Sequence, residues 1–295
     1  MTDAIVAHSR AVLEGGSKSF AKAARVLDPD IRAGAYQLYA WCRYCDDVID
    51  GQTLGHDQRL PDQAAQEAGM AELRDLTDRA FRGDSGLPPV FEGIARTVRR
   101  HGIPERHVTE FLDGMAMDVH GRRHRTFDEL EVYCYHVAGV VAVMMAHIIG
   151  IKDVETLGRA ESLGTGMQMT NIARDVMDDA RVGRVYLPLD WLEEAGLPAD
   201  AVLDPARRLT LAAVVGRLLD RADDYYRRAD SGIAHLSFRS AWSIGAARWI
   251  YADIGNVIRD AGPRAWDRRA YVGTGRKLWW LLASFGRTVA MKLGA

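Results

Sequence analysis

The chain is short of cysteine, proline and alternating β-branched residues, and each scarcity excludes something. Its three cysteines, Cys42, Cys45 and Cys134, form no disulfide framework in 295 residues, which points to a reducing compartment. Cys42 and Cys45 have C-x-x-C spacing, but no βαβ pattern or second ligand pair accompanies them. Two small thiols packed in a helix are therefore expected, not a redox or zinc centre. Nine prolines and few runs of alternating Val, Ile and Thr leave little room for strands. Neither charge sign is in excess: 38 basic and 40 acidic residues give −2, which argues against a nucleic-acid partner. Met1 to Arg10 lacks the apolar core of a signal peptide. The most apolar run, Val137 to Ile151, contains His147 and reads as a buried core helix too short to span a bilayer.

What the chain has in abundance is helical pattern. Hydrophobic residues make up 48%, enough for a large core and an apolar cavity. A helix is expected from Asp28-Pro29-Asp30 to Asp50, stopped by Gly51. Others are expected at 63–81, 89–101, 105–119, 127–150, from Asp153 to about Arg181, and at 205–231, 237–261 and 274–293. Thr126 is the expected cap of the 127–150 helix, with Glu129 completing a capping box. Residues 52–62 and 183–188 read as irregular. No repeat, low-complexity tract or linker interrupts the pattern, so residues 1–295 read as one domain.

Two acidic clusters stand out by position. Asp46 and Asp50 are four residues apart, as are Asp175 and Asp179, so each pair shares a helix face. Both pairs lie in the last turns of their helices, where the macrodipole makes an acid unfavourable by roughly 0.3–1 kcal/mol. Like charges at this spacing add to that penalty. A bound cation would reverse it, and an oxygen-only ligand set favours Mg²⁺, with Mn²⁺ as the alternative.

Each pair ends a longer stripe. Tyr36, Tyr39, Arg43, Asp46 and Asp50 recur at helical spacing, as do Ala160, Gly164, Gln168, Asn171, Asp175 and Asp179. Both stripes run from small or aromatic residues to carboxylates, a poor composition for a solvent face. They are expected to line one shared cavity, with an anionic headgroup at the acidic end and an apolar tail at the other. Arg43, Arg174, Arg181 and Arg184 lie near the acids and suit a diphosphate held between metal ions and guanidinium groups. Tyr133, Val137, Val141 and Met144 repeat at helical spacing and could wall the tail end.

These residues also carry a resemblance. Gly16 to Phe20, Tyr39 to Asp50, Tyr133 to Gly139, Gln168 to Asp175 and Arg181 to Pro188 resemble the squalene/phytoene synthase family in order and spacing, from about residue 10 to 285. Trp41 to Asp50, Tyr133 to Met145 and Ala265 to Arg269 look most like its bacterial phytoene-forming branch. The resemblance implies an all-α, single-domain isoprenoid-synthase bundle around a central apolar cavity. It implies head-to-head condensation of two geranylgeranyl diphosphates to 15-cis-phytoene through prephytoene diphosphate, the step that commits isoprenoids to carotenoids. No dinucleotide fingerprint is present, and no NADPH requirement is expected.

Carried over by position, Asp46, Asp50, Asp175 and Asp179 would bind metal, with Asn171 as a further oxygen ligand. Arg43, Arg174, Arg184, Ser17 and Ser19 would contact diphosphate. Gln168 belongs to the substrate stripe, and Phe20, Val137, Ala160, Gly164 and Tyr251 are pocket candidates. Tyr133 would act through its ring face on a cation or by orienting a diphosphate, and the sequence leaves both open. Other head-to-head products from farnesyl diphosphate, a head-to-tail elongating enzyme and an inactive scaffold are the alternatives. A cytoplasmic location is expected, with peripheral membrane contact suggested by the greasy substrate and a downstream desaturase as a conceivable partner. Lys277 to Val289, with Trp279, Trp280 and Phe285, is the candidate membrane segment, although core packing is the favoured reading for it.

Overall fold

The computed structural model describes residues 3–17, 20–21, 24–55 and 61–293. Ser19 lies outside the described residues. Among those described the chain is helical and contains no β-strand. Where the sequence reads as one domain, residue packing divides the chain into two compact units.

The first unit comprises Met1–His120 and Met144–Lys152. It contains α1 (Ala4–Gly16), α2 (Pro29–Asp50), α3 (Gln63–Arg82), α4 (Pro89–His101) and α5 (Glu105–Val119). The central helix is α2, which packs against the other four. Its start and stop follow the sequence signals: Pro29 sits in the first turn, and Gly51 ends the helix in the left-handed conformation at φ 60°. Leu38, Trp41, Cys45 and Ile49 recur along its buried face. Trp41 meets the Phe111 ring at 5.1 Å, and Tyr44 meets Phe91 edge-on at 5.4 Å. Such aromatic pairs contribute about 0.5–1.5 kcal/mol each beyond area burial. Cys42 and Cys45 are free, and burial raises both thiols well above their usual range, consistent with inert packing.

The second unit comprises Gly121–Val143 and Asp153–Ala295. It starts with α6 (Phe127–Cys134), which passes through a π-helical turn, Tyr135–Gly139, into α7 (Val140–Ile149), whose residues from Met144 on are counted with the first unit. Then come α8 (Val154–Arg181), α9 (Leu189–Glu194), α10 (Arg208–Ile233), α11 (Phe238–Ala261) and α12 (Thr274–Leu293). The spine is α8, packed against α10, α11 and the π turn. Buried polar bonds fix this packing: Thr170 Oγ1 and Tyr226 Oη lie 2.7 Å apart. Tyr226 Oη also donates to the Gly166 carbonyl at 3.1 Å, and Trp266 Nε1 donates to the Ala173 carbonyl at 3.0 Å.

Four local features depart from expectation. The 127–150 helix is interrupted by the π turn, which carries an extra residue and shifts the phase of side chains beyond it. The even spacing assumed for Tyr133, Val137, Val141 and Met144 therefore does not carry through. Its neighbour α8 comes very close here: a Cβ on Gly139 would lie 2.8 Å from Thr165 Oγ1. The run Phe127–Ile149 is also long and apolar enough, by length and composition alone, to cross a membrane, and half of its most apolar window is buried. At its start, Thr126 accepts from the Glu129 amide as expected. The Glu129 carboxylate, however, accepts from the amide of Arg125, one residue upstream of the cap. Finally, α9 was not anticipated. Pro188 initiates it, and Trp191 anchors it by stacking on Phe127 at 5.4 Å.

Gly164 tests the closeness of the α8 contact. A Cβ there would overlap the Ala138 carbonyl oxygen and come within 2.8 Å of Ala142 Cβ. Gly164 thus serves helix packing, and a bulky replacement would disturb the fold before it altered any tail pocket. Gly164→Ala is expected to destabilise the protein by about 1–3 kcal/mol, seen as a lower urea midpoint at unchanged slope. A midpoint equal to wild type would refute the close approach.

Candidate functional site

In the first unit, the functional stripe of α2 begins inside the core. Tyr36 belongs to a buried cluster with Leu13, Ala24, Leu27 and Ala35, and Phe20 and Tyr39 pack against it. The Phe20 and Tyr39 rings lie 5.6 Å apart. Ser17 Oγ accepts from the Phe20 amide at 3.3 Å. Gly16 faces the Tyr39 hydroxyl, where a Cβ would come within 2.6 Å of the oxygen. Among the described residues, that buried hydroxyl has no hydrogen-bond partner. One turn further, the Arg43 guanidinium sits 5.9 Å from the Tyr39 ring centre and 3.6 Å from Asp46. Its Nε also has no partner among the described residues.

The carboxylates of this stripe crowd one another. Burial pushes the Asp46 carboxyl up, Arg43 opposes this, and the charges of Asp50, Asp47 and Asp118 push it further, to about 7. A third of its side-chain surface (33%) still meets solvent, so the group is crowded yet reachable. Asp47 has a different task. Its two carboxylate oxygens accept from the amides of Leu54, at 2.7 Å, and Gly55, at 2.9 Å, folding the 51–55 loop back over the helix end. Gly55 takes φ 77° there, and a Cβ would lie 2.8 Å from Arg43 Nη1. Sequence reasoning missed Asp118, although it carries the signal used for the others: an acid in the last turn of a helix.

In the second unit, α8 carries Gln168, Asn171, Asp175 and Asp179 on one stripe. Asn171 Nδ2 donates to Gln168 Oε1 at 3.2 Å, and the buried Asn171 Oδ1 has no partner among the described residues. Asp175 is held by two guanidinium groups. Arg174 donates through Nε at 2.9 Å and also through Nη2, and Arg269 donates two bonds of 3.1 Å. Burial raises the Asp175 carboxyl, but both arginines outweigh it, and the group titrates below its usual range. Arg269 was missed because nothing in local spacing links residues so far apart in the chain. After α8 the chain turns through Gly183, at φ 82°, and the Arg184 amide donates to the Asp179 carbonyl at 2.9 Å. This fastens Arg184 beside the acidic end. Arg181 instead pairs with the exposed Asp178.

Tyr133 is buried and stacks on Tyr186 at 5.0 Å, with the His124 ring 5.1 Å away. Among the described residues neither ring nitrogen of the buried His124 is bonded, and burial lowers it to about 4, so it is neutral near pH 7. Tyr186 and His124 extend the site beyond the expected residues. Tyr251 lies within electrostatic range of Arg174. Ala160 and Val137 are half-buried. A surface cleft of about 620 Å³ lies between α3 and α4, lined by Leu87, Arg96 and Arg99 among others. None of the candidate residues lines it, and its charged rim does not suit an apolar tail.

Among the described residues, no three His, Cys, Asp or Glu side chains gather closely enough to form a metal site by themselves. The donor set still fits Mg²⁺, which takes one or two carboxylates and completes its shell with water and substrate phosphate oxygens. The unpartnered Asn171 Oδ1 adds a neutral oxygen donor to that set.

Comparison with known proteins bears on this arrangement. Residues 13–276 match the squalene/phytoene synthase family. The chain is 42% identical to a 15-cis-phytoene synthase of Pantoea ananas, covering 98% of this chain and 93% of that protein. It is 45% identical to a 15-cis-phytoene synthase of a Paracoccus species, covering 94% and 90%. Among solved structures, a dehydrosqualene synthase in complex with ligand superposes with a TM-score of 0.85 at 24% identity, covering 97% of each chain. A squalene synthase from Alicyclobacillus acidocaldarius superposes with a TM-score of 0.77 at 21% identity, covering 88% of this chain and 94% of that one. These two likenesses establish the isoprenoid-synthase helical fold.

The Asp46 environment generates a pH prediction. Protons and cations compete for the same oxygens, so a carboxyl titrating at about 7 weakens metal binding in acid. Mg²⁺ affinity measured by calorimetry should rise with pH, by up to roughly tenfold per unit, and level off above that pKa. Asp46→Asn should flatten the curve. A wild-type affinity independent of pH would contradict the assignment.

Proposed function

The chain belongs to the squalene/phytoene synthase family, and from that premise we propose that it condenses two geranylgeranyl diphosphates head to head into 15-cis-phytoene. The observation that carries this reading is identity of 42% and 45%, over nearly the full length, to bacterial 15-cis-phytoene synthases. The enzyme is a prenyltransferase of carotenoid biosynthesis.

The site chemistry supports a division of labour. Asp46, Asp50, Asp175 and Asp179, with Asn171, would hold divalent cations, Mg²⁺ first and Mn²⁺ as the alternative. Bound Mg²⁺ would supply charge neutralisation to a departing diphosphate. The protein's own part would be to offer guanidinium groups to that anion: Arg43, which pairs with Asp46, Arg184, whose amide is fastened to the Asp179 carbonyl, and Arg174 and Arg269, which pair with Asp175. The last two are engaged with a carboxylate, and both can exchange that partner for phosphate oxygens in the same forked geometry. Ser17 and Ser19 would add hydroxyl donors.

Ionisation of the allylic C–O bond leaves a carbocation, which the double bond of the second substrate attacks. Loss of a proton from that cationic adduct closes the cyclopropane ring of prephytoene diphosphate, which ionises in turn with release of its diphosphate, rearranges and loses a second proton. Water would quench either cation, so apolar walls are required. Phe20, Val137 and Ala160 remain wall candidates, whereas Gly164 acts through packing. One ring face of Tyr133 is stacked on Tyr186, which favours action through its hydroxyl or its other face. No step calls for NADPH.

The decisive assay incubates purified protein with geranylgeranyl diphosphate and Mg²⁺, with farnesyl diphosphate as the competing substrate. Phytoene is the expected hydrocarbon, and squalene or dehydrosqualene as main product would overturn the chain-length assignment. Asp50→Asn and Asp175→Asn should each lower turnover by roughly a hundredfold or more with unchanged circular dichroism. Undiminished turnover in EDTA would remove the metal from the account.

A further inference from the structure

The last helix, α12, is amphipathic the wrong way round for a core element. Its inward face uses small polar residues. Ser284 and Thr288 are 3% and 1% exposed, and Ser284 Oγ donates to the Trp242 carbonyl at 3.0 Å. Gly245 of α11 comes so close that a Cβ would lie 2.7 Å from Ser284 Oγ. Small residues allow this approach, and the large ones are left outside. Leu278, Trp279, Leu282 and Phe285 are 56%, 64%, 60% and 41% exposed. Leu278, Leu282 and Phe285 follow i, i+4, i+7 spacing, one continuous stripe. Phe285 extends the patch to the exposed Phe238, with ring centres 5.6 Å apart. The expectation that this segment packs in the core holds for Trp280, stacked on Trp249 at 5.2 Å, and fails for Trp279.

Charge identifies what covers this face. The helix carries Arg276, Lys277, Arg287 and Lys292 and no acidic residue, in a chain whose net charge is −2. Arg276 is tied to the buried Asp253. Arg287 lies over the Trp249 ring at 4.1 Å, and Lys292 Nζ donates to the Ala234 carbonyl at 2.9 Å. Those contacts fix the cations beside the apolar stripe. A symmetric pairing of this face with a second copy would bring like charges together. An apolar stripe with a tryptophan and a cationic border matches the interface of a bilayer rich in anionic lipid. We propose that the α12 face, Leu278, Trp279, Leu282 and Phe285 with Arg287 and Lys292, docks this protein on an anionic membrane surface. The inference stands on exposure and charge and is independent of the product assignment.

Flotation with lipid vesicles tests it, comparing phosphatidylcholine alone with mixtures containing phosphatidylglycerol. Wild type should float with the anionic vesicles, less so as salt rises. The triple variant Leu278→Ser, Trp279→Ser, Leu282→Ser should partition at least roughly tenfold more weakly. A second variant, Arg287→Gln with Lys292→Gln, should lose roughly twentyfold on anionic vesicles and retain the wild-type circular dichroism spectrum. The charge variant decides the matter if the triple variant fails to fold. Wild type that stays unbound to anionic vesicles would overturn the proposal. So would a folded charge variant that floats like wild type, or sedimentation showing a dimer that the triple variant abolishes while vesicles are ignored.

Discussion

Repulsion between carboxylates gathered at the C-terminal ends of α2 and α8 is the constraint on which the rest of the account depends. A helix end already carries negative potential, and each of these adds two aspartates on one face. The protein answers this differently in its two units. Around Asp46 burial raises the carboxyl, and the charges of Asp50, Asp47 and Asp118 add to this against Arg43, taking it to about 7. Around Asp175 two arginines outweigh burial, and the carboxyl falls below its usual range. The first end is left short of positive charge, and at the second two guanidinium groups hold the acid.

Much of the surrounding structure serves to hold those ends in place. Asp47 spends both carboxylate oxygens on the Leu54 and Gly55 amides, which keeps the loop closed over Arg43 and withdraws Asp47 from ligation. Gly16 leaves room for the Tyr39 hydroxyl, and Tyr39 in turn lies under the Arg43 guanidinium. On α8, close contact through Gly164 and Gly139 fixes the π turn that follows Tyr133. The turn at Gly183 secures Arg184. Glycines at these points act as spacers whose loss would move a functional side chain, and none of them needs to touch substrate.

The sequence made the helices readable because their caps and periodicities are local. Pro29, Gly51 and Thr126 mark ends through interactions spanning only a few residues. The acidic pairs were legible for the same reason, since four-residue spacing alone puts them on one face. What escaped notice depends on contacts made across the fold. Arg269 reaches Asp175 from the far end of the chain, and His124 and Tyr186 meet Tyr133 only after folding. The π turn arises from close packing on α8, which no propensity encodes. Asp118 was an oversight of another kind, because its last-turn position carried the signal already used elsewhere. The outward face of α12 was misread because apolar periodicity reports a stripe without saying on which side the core lies.

The most direct test is a crystal structure with Mg²⁺ and a thio-analogue of the substrate that cannot ionise. The account predicts metal ions at about 2.1 Å from oxygens of Asp46 or Asp50 and of Asp175 or Asp179. It also predicts that Arg174 and Arg269 have turned from Asp175 to phosphate oxygens. A diphosphate bound with no metal at these carboxylates, and with Asp175 still clasped by both arginines, would contradict it.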